Sequence, residues 1–124
     1  MIYVIDSDEI MAECVARACA ECGKKTRIFD NAIEALGEMS KELPEMILME
    51  IMLTGPDGWT LLNELISYDD TAKIPVVIVS EDDYEGMNLD VYGVVGVLRK
   101  DTMKPSDVRR YVLKYTGVKA KISA

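Results

Sequence analysis

The sequence predicts an α/β fold in which a parallel sheet carries helices on both faces. Short apolar runs alternate five times with amphipathic stretches along the 124 residues, a pattern typical of such folds. Hydrophobic residues make up 49% and charged residues 29% of the chain, as in an ordinary globular domain. No apolar run approaches the roughly 20 residues that a membrane-spanning helix needs. We expect one domain over residues 1–118 and a frayed tail over 119–124.

The first half of the chain contains three predicted strands and two predicted helices. The strands are the apolar runs Ile2–Ile5 and Met46–Met49 and, between them, the segment Thr26–Phe29. The first helix ends at Gly23, a residue favoured after helix ends, and Asn31 can cap the start of the second. Helical spacing predicts inner faces made of Met11, Cys14, Val15, Ala18 and Cys22 in the first helix and of Ala32, Leu36, Met39 and Leu43 in the second.

The second half continues the alternation. A loop over residues 50–58 leads to a third helix, whose apolar residues are Leu61, Leu62, Leu65 and Ile66. The fourth strand is Val76–Val79 and the fifth is Val94–Leu98. Pro105, a residue favoured in the first turn, opens a final helix. Residues 81–92 hold five acidic residues and a central Gly86, so we expect a short, distorted or partly unwound helix in this crossover.

Polar side chains follow the carboxyl ends of four predicted strands. They are Asp6, Ser7 and Asp8 after the first strand, Glu50 after the third, Ser80 after the fourth and Lys100 after the fifth. In parallel α/β folds, sites form beyond these strand ends. Carboxylates suit Mg²⁺ and a lysine suits phosphate, so the set predicts a site for a cation and a phosphoryl group. The alternative, strongest for Ser7 and Asp8, is that such residues only cap helices and face water.

Four segments resemble the receiver domain of bacterial response regulators, chemotaxis regulators included. They are Val4–Asp8, Glu50–Gly58, Ile74–Ser80 and Gly96–Lys100. The resemblance covers about residues 1–116, and it implies a flavodoxin-like fold with strand order 2-1-3-4-5. It also implies a role in a two-component or phosphorelay system in the cytoplasm. In that family a histidine kinase phosphorylates a central aspartate beside Mg²⁺, and a lysine and a hydroxyl contact the phosphoryl group.

The sequence departs from the family pattern at the positions that carry the phosphoryl-transfer chemistry. Glu50 stands at the phosphoacceptor position, and Ser7 replaces the second acidic residue of the metal site. A misplacement of about 1 Å can cost phosphoryl transfer about 100-fold, and losing a carboxylate weakens binding of a divalent ion. Ser80 and Lys100 keep the residue types of the phosphate pocket. Thr54 and Asp101 each stand where family members usually carry a proline. Val97 stands where they carry an aromatic residue on the fifth strand that reorients on phosphorylation.

These departures favour a pseudo-receiver that acts by protein–protein interaction without phosphorylation. We therefore expect no enzymatic activity, no required cofactor, and at most weak magnesium binding at Asp6, Ser7 and Asp8. The alternative is a Mg²⁺-dependent phosphoacceptor in which Asp6 and Asp8 hold the metal. Glu50 itself has two interpretations: it holds a fixed pseudo-phosphorylated state by pairing with Lys100, or it only neutralises that lysine.

The charge distribution bears on partners. The chain has a net charge of −8, but residues 1–96 carry −14 and residues 97–124 carry +6. The overall charge disfavours nucleic acid, because phosphates are repelled. We expect a protein partner, such as a histidine kinase or another signalling protein, at a face made by Arg109, Arg110, Tyr111 and Tyr115. The alternatives are a solvated basic helix and tyrosines buried against the sheet, and the oligomeric state stays open.

The three cysteines suggest a further hypothesis. Cys19 and Cys22 fit a C-x-x-C pattern, which could serve redox or metal chemistry. The chain has no histidine and no second such pair, so a four-ligand zinc site lacks ligands. Helical spacing instead favours Cys14 and Cys22 as small buried hydrophobic residues, and it leaves Cys19 undecided.

Overall fold

A five-stranded parallel sheet runs through the protein, whose computed structural model describes residues 1–117. The strands lie in the order β2-β1-β3-β4-β5, which confirms the predicted fold and strand order. They are β1 (Ile2–Ile5), β2 (Thr26–Phe29), β3 (Met46–Met49), β4 (Val76–Ser80) and β5 (Val94–Arg99). The helices are α1 (Glu9–Glu21), α2 (Ala32–Met39), α3 (Gly58–Ile66), α4 (Asp69–Ala72) and α5 (Pro105–Tyr115).

Both faces of the sheet are covered. The cluster on one face joins alternate residues of the central strands to α2 and α3, and it includes Ile5, Met49 and Leu61. The cluster on the other face joins the intervening residues to α1 and α5, and it includes Val4, Leu48 and Val112. Every residue of β1, β3 and β4 is buried. Burial on both faces explains why these strands are continuous apolar runs and not alternating ones.

The strand register brings the predicted site residues together. Ile5 of β1 pairs with Met49 of β3, so the next residues, Asp6 and Glu50, leave adjacent strands at the same edge of the sheet. At the other side, the backbone N–H of Lys100 donates to the carbonyl of Ser80 over 2.9 Å. The doubly wound topology thus places the predicted polar residues at one end of the sheet.

Side-chain caps fix the starts of three helices. Asp8 accepts a hydrogen bond from the backbone N–H of Met11 at 3.1 Å and caps α1. Asn31 caps α2 by accepting from Glu34 at 2.9 Å, as predicted. Asp57 in the same way caps α3. These caps satisfy N–H groups that have no partner within the first turn of a helix.

The inner face of α1 is shifted by one position from the predicted stripe. Ala12, Val15, Ala18 and Cys19 are the buried residues of this helix. The prediction that Cys14 is buried is wrong, because its side chain is exposed. Cys22 is half-buried, and Cys19, which the pattern left undecided, is fully buried. The shift arises because α1 packs against both the sheet and α5, and α5 lies beyond the reach of a local pattern.

Two further elements differ from the expected pattern. Helix α2 ends at Met39, and Leu43, predicted on its inner face, lies beyond the helix and is 38% exposed. The four-residue helix α4 follows α3 and was not predicted; it begins with the two acidic residues Asp69 and Asp70, which favourably face the positive end of a helix dipole.

The crossover between β4 and β5 contains a single 3₁₀ turn, Asp90–Tyr92, as its only regular helix. This result confirms the prediction of a weak or distorted helix. Leu89 is buried, whereas Met87 and Val91 are 51% and 67% exposed, so the segment has too few buried apolar positions to stabilise a helix. Gly93 ends it with a φ of +77°, a conformation that favours glycine.

No helix within residues 1–117 is long and apolar enough to span a membrane. The predicted tail at 119–124, like the last residue of the predicted domain, lies outside the described residues.

Candidate functional site

A buried ion-pair cluster lies at the carboxyl ends of the strands. The ammonium of Lys100 is 2.9 Å from Oδ2 of Asp6 and 3.3 Å from Oε1 of Glu50. All three side chains are only 6–7% exposed. Two carboxylates therefore share one cation in a site that excludes most water, and the local net charge is negative.

The pKa values of Asp6 and Lys100 are shifted by burial and by the contacts between the charged groups. Desolvation raises the pKa of the Asp6 carboxyl, and its hydrogen bond to Lys100 only partly offsets that effect. Desolvation alone would lower the pKa of Lys100, but the hydrogen bond to Asp6 and the charges of Asp6 and Glu50 outweigh it and raise that pKa. Lys100 is thus held in its charged form by two acidic neighbours.

Glu50 uses its second oxygen to hold the loop that follows it. Its Oε2 accepts hydrogen bonds from the backbone N–H groups of Ile51 at 2.7 Å and Met52 at 3.3 Å. The longer glutamate side chain thus folds back over its own backbone while its other oxygen faces Lys100. Both oxygens of the Glu50 carboxylate are engaged within the protein.

The same loop is closed at its far end by Gly58. The backbone N–H of Gly58 donates to the carbonyl of Ile51. A Cβ atom at Gly58 would lie 2.6 Å from Cα of Ile51 and 3.0 Å from the carbonyl oxygen of Glu50. Only glycine allows this close approach of two backbone segments, which explains the Asp57-Gly58 pair at the end of the loop.

Ser7 is tied to two other segments. Its Oγ donates to the carbonyl of Asp30 at 2.9 Å, and it accepts from the backbone N–H and the hydroxyl of Thr54 at 3.2 and 3.3 Å. Sequence reasoning placed Ser7 in a weak metal site and missed this role. The only signal for it was Thr54 itself, because the proline usual at that position has no N–H to donate.

The donor set does not fit a magnesium ion. Asp6 is paired with Lys100, and it also accepts from the backbone N–H of Asp8. The carboxylate of Asp8 caps α1, and the hydroxyl of Ser7 is committed to Asp30 and Thr54. Within residues 1–117 no group of three or more Asp, Glu, Cys or His side chains is arranged to hold a metal ion.

Ser80 belongs to the same end of the sheet but is turned toward the crossover. It is fully buried, and its Oγ accepts a hydrogen bond from the backbone N–H of Asp82 at 3.1 Å. Among the described residues no hydrogen bond joins the Ser80 hydroxyl to the side chain of Glu50 or Lys100. The sequence predicted that Glu50 could reach both Ser80 and Lys100. In the structure its carboxylate pairs with Lys100 and not with Ser80.

The predicted interaction residues lie on α5. Tyr111 and Tyr115 are half-buried against the second core cluster, and their rings stack with centroids 6.2 Å apart. The ring of Tyr111 covers Gly96 so closely that a Cβ atom there would overlap it. Arg109 pairs with Glu21 of α1 at 3.2 Å, whereas Arg110, paired with Asp107, remains 66% exposed. The tyrosines are thus partly structural.

The cysteine pair lacks the properties of a redox or metal site. Cys19 is fully buried, and burial raises the pKa of its thiol to about 12. Thiolates are the reactive and metal-binding form, so burial disfavours the reactive form of Cys19 at neutral pH. This geometry counts against the redox hypothesis for Cys19 and Cys22.

The sheet order, the two-sided helical cover and the polar end of the sheet define a receiver-type domain. The family described as "Response regulator receiver domain" matches residues 2–112, and the chain belongs to this family. Such domains serve two-component signalling, in which they interact with signalling proteins such as histidine kinases.

Individual relatives are distant. The DNA-binding transcriptional regulator NtrC of Escherichia coli K12 is 28% identical over 80 residues, which cover 64% of this chain and 17% of NtrC. The chain spans between 12% and 46% of the first curated relatives that it matches.

Solved structures with under 25% identity show the same fold. A sensor protein from Polaromonas sp. JS666 superposes with a TM-score of 0.84 at 18% identity, over 94% of both chains. The receiver domain of a sensor histidine kinase from Pseudomonas aeruginosa PAO1, solved with a magnesium ion in its active site cleft, gives a TM-score of 0.81 at 17% identity. That match covers 94% of this chain and 96% of the other.

Proposed function

We propose that this chain is a pseudo-receiver: a two-component signalling domain that acts by binding a protein partner and does not run a phosphorylation cycle. The observation that carries the proposal is the Lys100 ammonium, 2.9 Å from Asp6 and 3.3 Å from Glu50. The glutamate occupies the acceptor position with both oxygens engaged. A group that is buried and internally satisfied is poorly placed for in-line attack on a phosphodonor.

The metal positions support the same proposal. Phosphoryl transfer relies on a divalent ion to neutralise developing charge. Asp6 and Lys100 already form a pair, and Ser7 and Asp8 hold backbone groups. An incoming Mg²⁺ would have to displace the lysine and break a helix cap to gain two carboxylates. We therefore infer that the site functions without magnesium.

The alternative is a phosphoacceptor that binds Mg²⁺ through Asp6 and Asp8. The Pseudomonas aeruginosa receiver domain, of the same fold, does coordinate magnesium in its cleft. The alternative requires that Asp8 leave its cap on Met11 and that Glu50 leave the backbone of Ile51. It therefore predicts large amide shifts at Met11 and Ile51 when Mg²⁺ is added.

For Glu50 itself we favour the neutralising role. Its carboxylate faces Lys100 but makes no hydrogen bond to Ser80, and a phosphoryl group in this family would contact both. Glu50→Gln separates the two ideas, because an amide has only one oxygen and loses either the lysine or the backbone contacts. Shifts confined to residues 50–58 and 100 support neutralisation, whereas shifts that spread through 81–99 support a fixed phosphorylated-like state.

We place the partner surface at β5 and α5. A groove of about 470 Å³ opens between the crossover and β5, and Met87, Val95, Val97 and Tyr115 are among its lining residues. The exposed Arg110 adds positive charge on the adjoining helix. Aromatic and arginine side chains beside a groove are typical of interface hot spots, so we propose Arg109, Arg110, Tyr111 and Tyr115 as the contact set.

The test is an amide-shift titration of the whole chain with Mg²⁺ and then with beryllofluoride, a phosphoryl mimic. The proposal predicts no saturable shift at Asp6, Asp8 or Lys100 at millimolar Mg²⁺ and no response to the mimic. Saturable shifts at these residues that spread to 81–100 would show a working phosphoswitch and would overturn the proposal. The receiver domain of a phosphorylatable relative serves as the positive control for both reagents.

A further inference from the structure

Ser7 lies where three segments of the chain meet. Its hydroxyl contacts the carbonyl of Asp30 beyond β2, and it contacts both the backbone N–H and the hydroxyl of Thr54 in the loop after β3. A serine hydroxyl offers one donor and two acceptor positions. All three are used, so this side chain has no lone pair left for an ion or a water molecule.

We propose that Ser7 and Thr54 form a strap that holds the loop over residues 50–57 against the ends of β1 and β2. The strap makes them positioning residues: they fix where the loop lies while touching no phosphoryl group. The inference deepens the proposed function, because a loop set by hydrogen bonds needs no divalent ion to order it. The strap itself is defined by the three hydrogen bonds of Ser7, whether or not the domain is phosphorylated.

The full set of three hydrogen bonds depends on the residue type at both positions. A proline at position 54 would have neither N–H nor hydroxyl to donate. An ionised aspartate at position 7 could not donate to the carbonyl of Asp30, and it would add a third carboxylate beside Asp6 and Glu50. The two departures from the family pattern, Ser7 and Thr54, therefore form one structural unit.

The strap adds polar contacts to a part of the loop where Leu53 already packs against the core cluster that includes Ile5 and Met49. Glu50 ties down the backbone of Ile51 and Met52, and Gly58 closes the end of the loop. Between these ties the chain turns at Gly55, whose φ is +82°. Thr54 directly precedes this turn, so its hydrogen bonds to Ser7 fix the position of the loop at its middle.

The test is amide hydrogen exchange by NMR on the whole chain. The N–H of Thr54 donates to Ser7, so Ser7→Ala should speed its exchange about fivefold, the effect of losing a typical hydrogen bond. Thr54→Val removes only the hydroxyl contact and keeps the amide donor, so exchange at residue 54 should stay within about twofold of wild type. Ser67→Ala, which removes an exposed serine that donates to Asn63, is the matched control and should leave Thr54 unchanged.

Exchange at Thr54 that stays within about twofold of wild type in Ser7→Ala would overturn the strap. So would an equal acceleration at the core residues Val4 and Leu48, because that pattern reports general destabilisation. The outcome is independent of the proposed function. If the wild-type chain responds to beryllofluoride and Thr54 exchange depends on Ser7, the pseudo-receiver is refuted and the strap is retained. If the chain does not respond and Thr54 exchange does not depend on Ser7, the strap is refuted and the pseudo-receiver is retained.

Discussion

At the scale of single residues, Lys100 is the cation that compensates the buried carboxylates of the site. It faces two carboxylates, Asp6 and Glu50, and all three side chains are buried. Removing one partner of a buried pair costs more than the pair contributes, because the remaining charge is left without compensation. The residue is therefore as important for folding as for any chemistry.

Lys100→Met should lower the free energy of unfolding by about 3 kcal/mol at pH 7, the lower end of the range for buried pairs. The loss should shrink as the pH falls toward 4–5, because burial raises the pKa of the Asp6 carboxyl, which therefore binds a proton more readily in the folded state than in the unfolded state. In the wild type the raised pKa of Lys100 means that its contribution is complete below the ordinary lysine pKa and is lost at higher pH. Urea unfolding at pH 5 and 7 measures the first trend, and unfolding at a pH above the ordinary lysine pKa of 10.5 measures the second.

Lys41→Met is the matched control, since Lys41 is 77% exposed and pairs with Glu38 at 3.7 Å. Exposed pairs contribute at most about 1 kcal/mol. An equal effect of the two substitutions would show that the Lys100 cluster is solvated and not buried.

At the scale of elements, the loop after β3 and the start of α3 depend on a close backbone approach at Gly58. Two of the three atoms nearest to a Cβ at this position are backbone atoms of Ile51 and Glu50, which cannot rotate away as a side chain could. The element that carries Glu50 is therefore coupled to the position of α3.

Gly58→Ala should destabilise the fold by about 1–3 kcal/mol, the range for overpacking. It should also shift the amide signals of Ile51 and Met52, because the loop must move to admit the methyl group. Gly86→Ala is the control: a Cβ there meets no atom within 4 Å. Equal unfolding midpoints for the two variants would contradict the close approach.

Helix α5 is seated on β5 by the contact between Tyr111 and Gly96. Gly96→Ala should cost about 1–2 kcal/mol, because the added methyl group displaces the ring from the sheet and from its stack on Tyr115. The same substitution made in a Tyr111→Ala background should cost much less, since the clash is gone. Additive effects in this double-mutant cycle would refute the contact.

At the scale of the whole molecule, stability is distributed unevenly over the sheet. Strands β1, β3 and β4 are buried on both faces, whereas the crossover at 81–93 contains one 3₁₀ turn. Local opening is easiest where few apolar contacts and few backbone hydrogen bonds must break. The crossover also borders the groove that we assign to a partner.

Amides in residues 81–89 should exchange at least about 100-fold faster than those of Leu48 and Val77. Hydrogen exchange on the free chain measures this difference at each residue. Comparable protection in the two regions would mean that the crossover is an integral part of the folding unit, and it would remove the argument for a readily remodelled surface there.

Much of the architecture could be predicted locally. The start and end of β1 and β3 follow from apolar runs, β2 has the bounds that were predicted for it, and Asn31 signals the start of α2. The polar residues Asp6, Glu50, Ser80 and Lys100 were identified because a parallel sheet brings strand ends to one edge. The errors fall at Cys14 and Leu43, where packing by α5 or an early helix end overrides the helical period.

The sequence by itself determined the fold class, the strand order implied by the family resemblance, and the residue types in the pocket, because periodicity and motif spacing are properties of the chain. Only the tertiary structure decided how those residues divide their contacts. Lys100 bridges Asp6 and Glu50, Ser80 turns to Asp82, and Ser7 holds Thr54, 47 positions away. Hydrogen bonds between distant segments depend on distance and direction in three dimensions, and no local pattern encodes either.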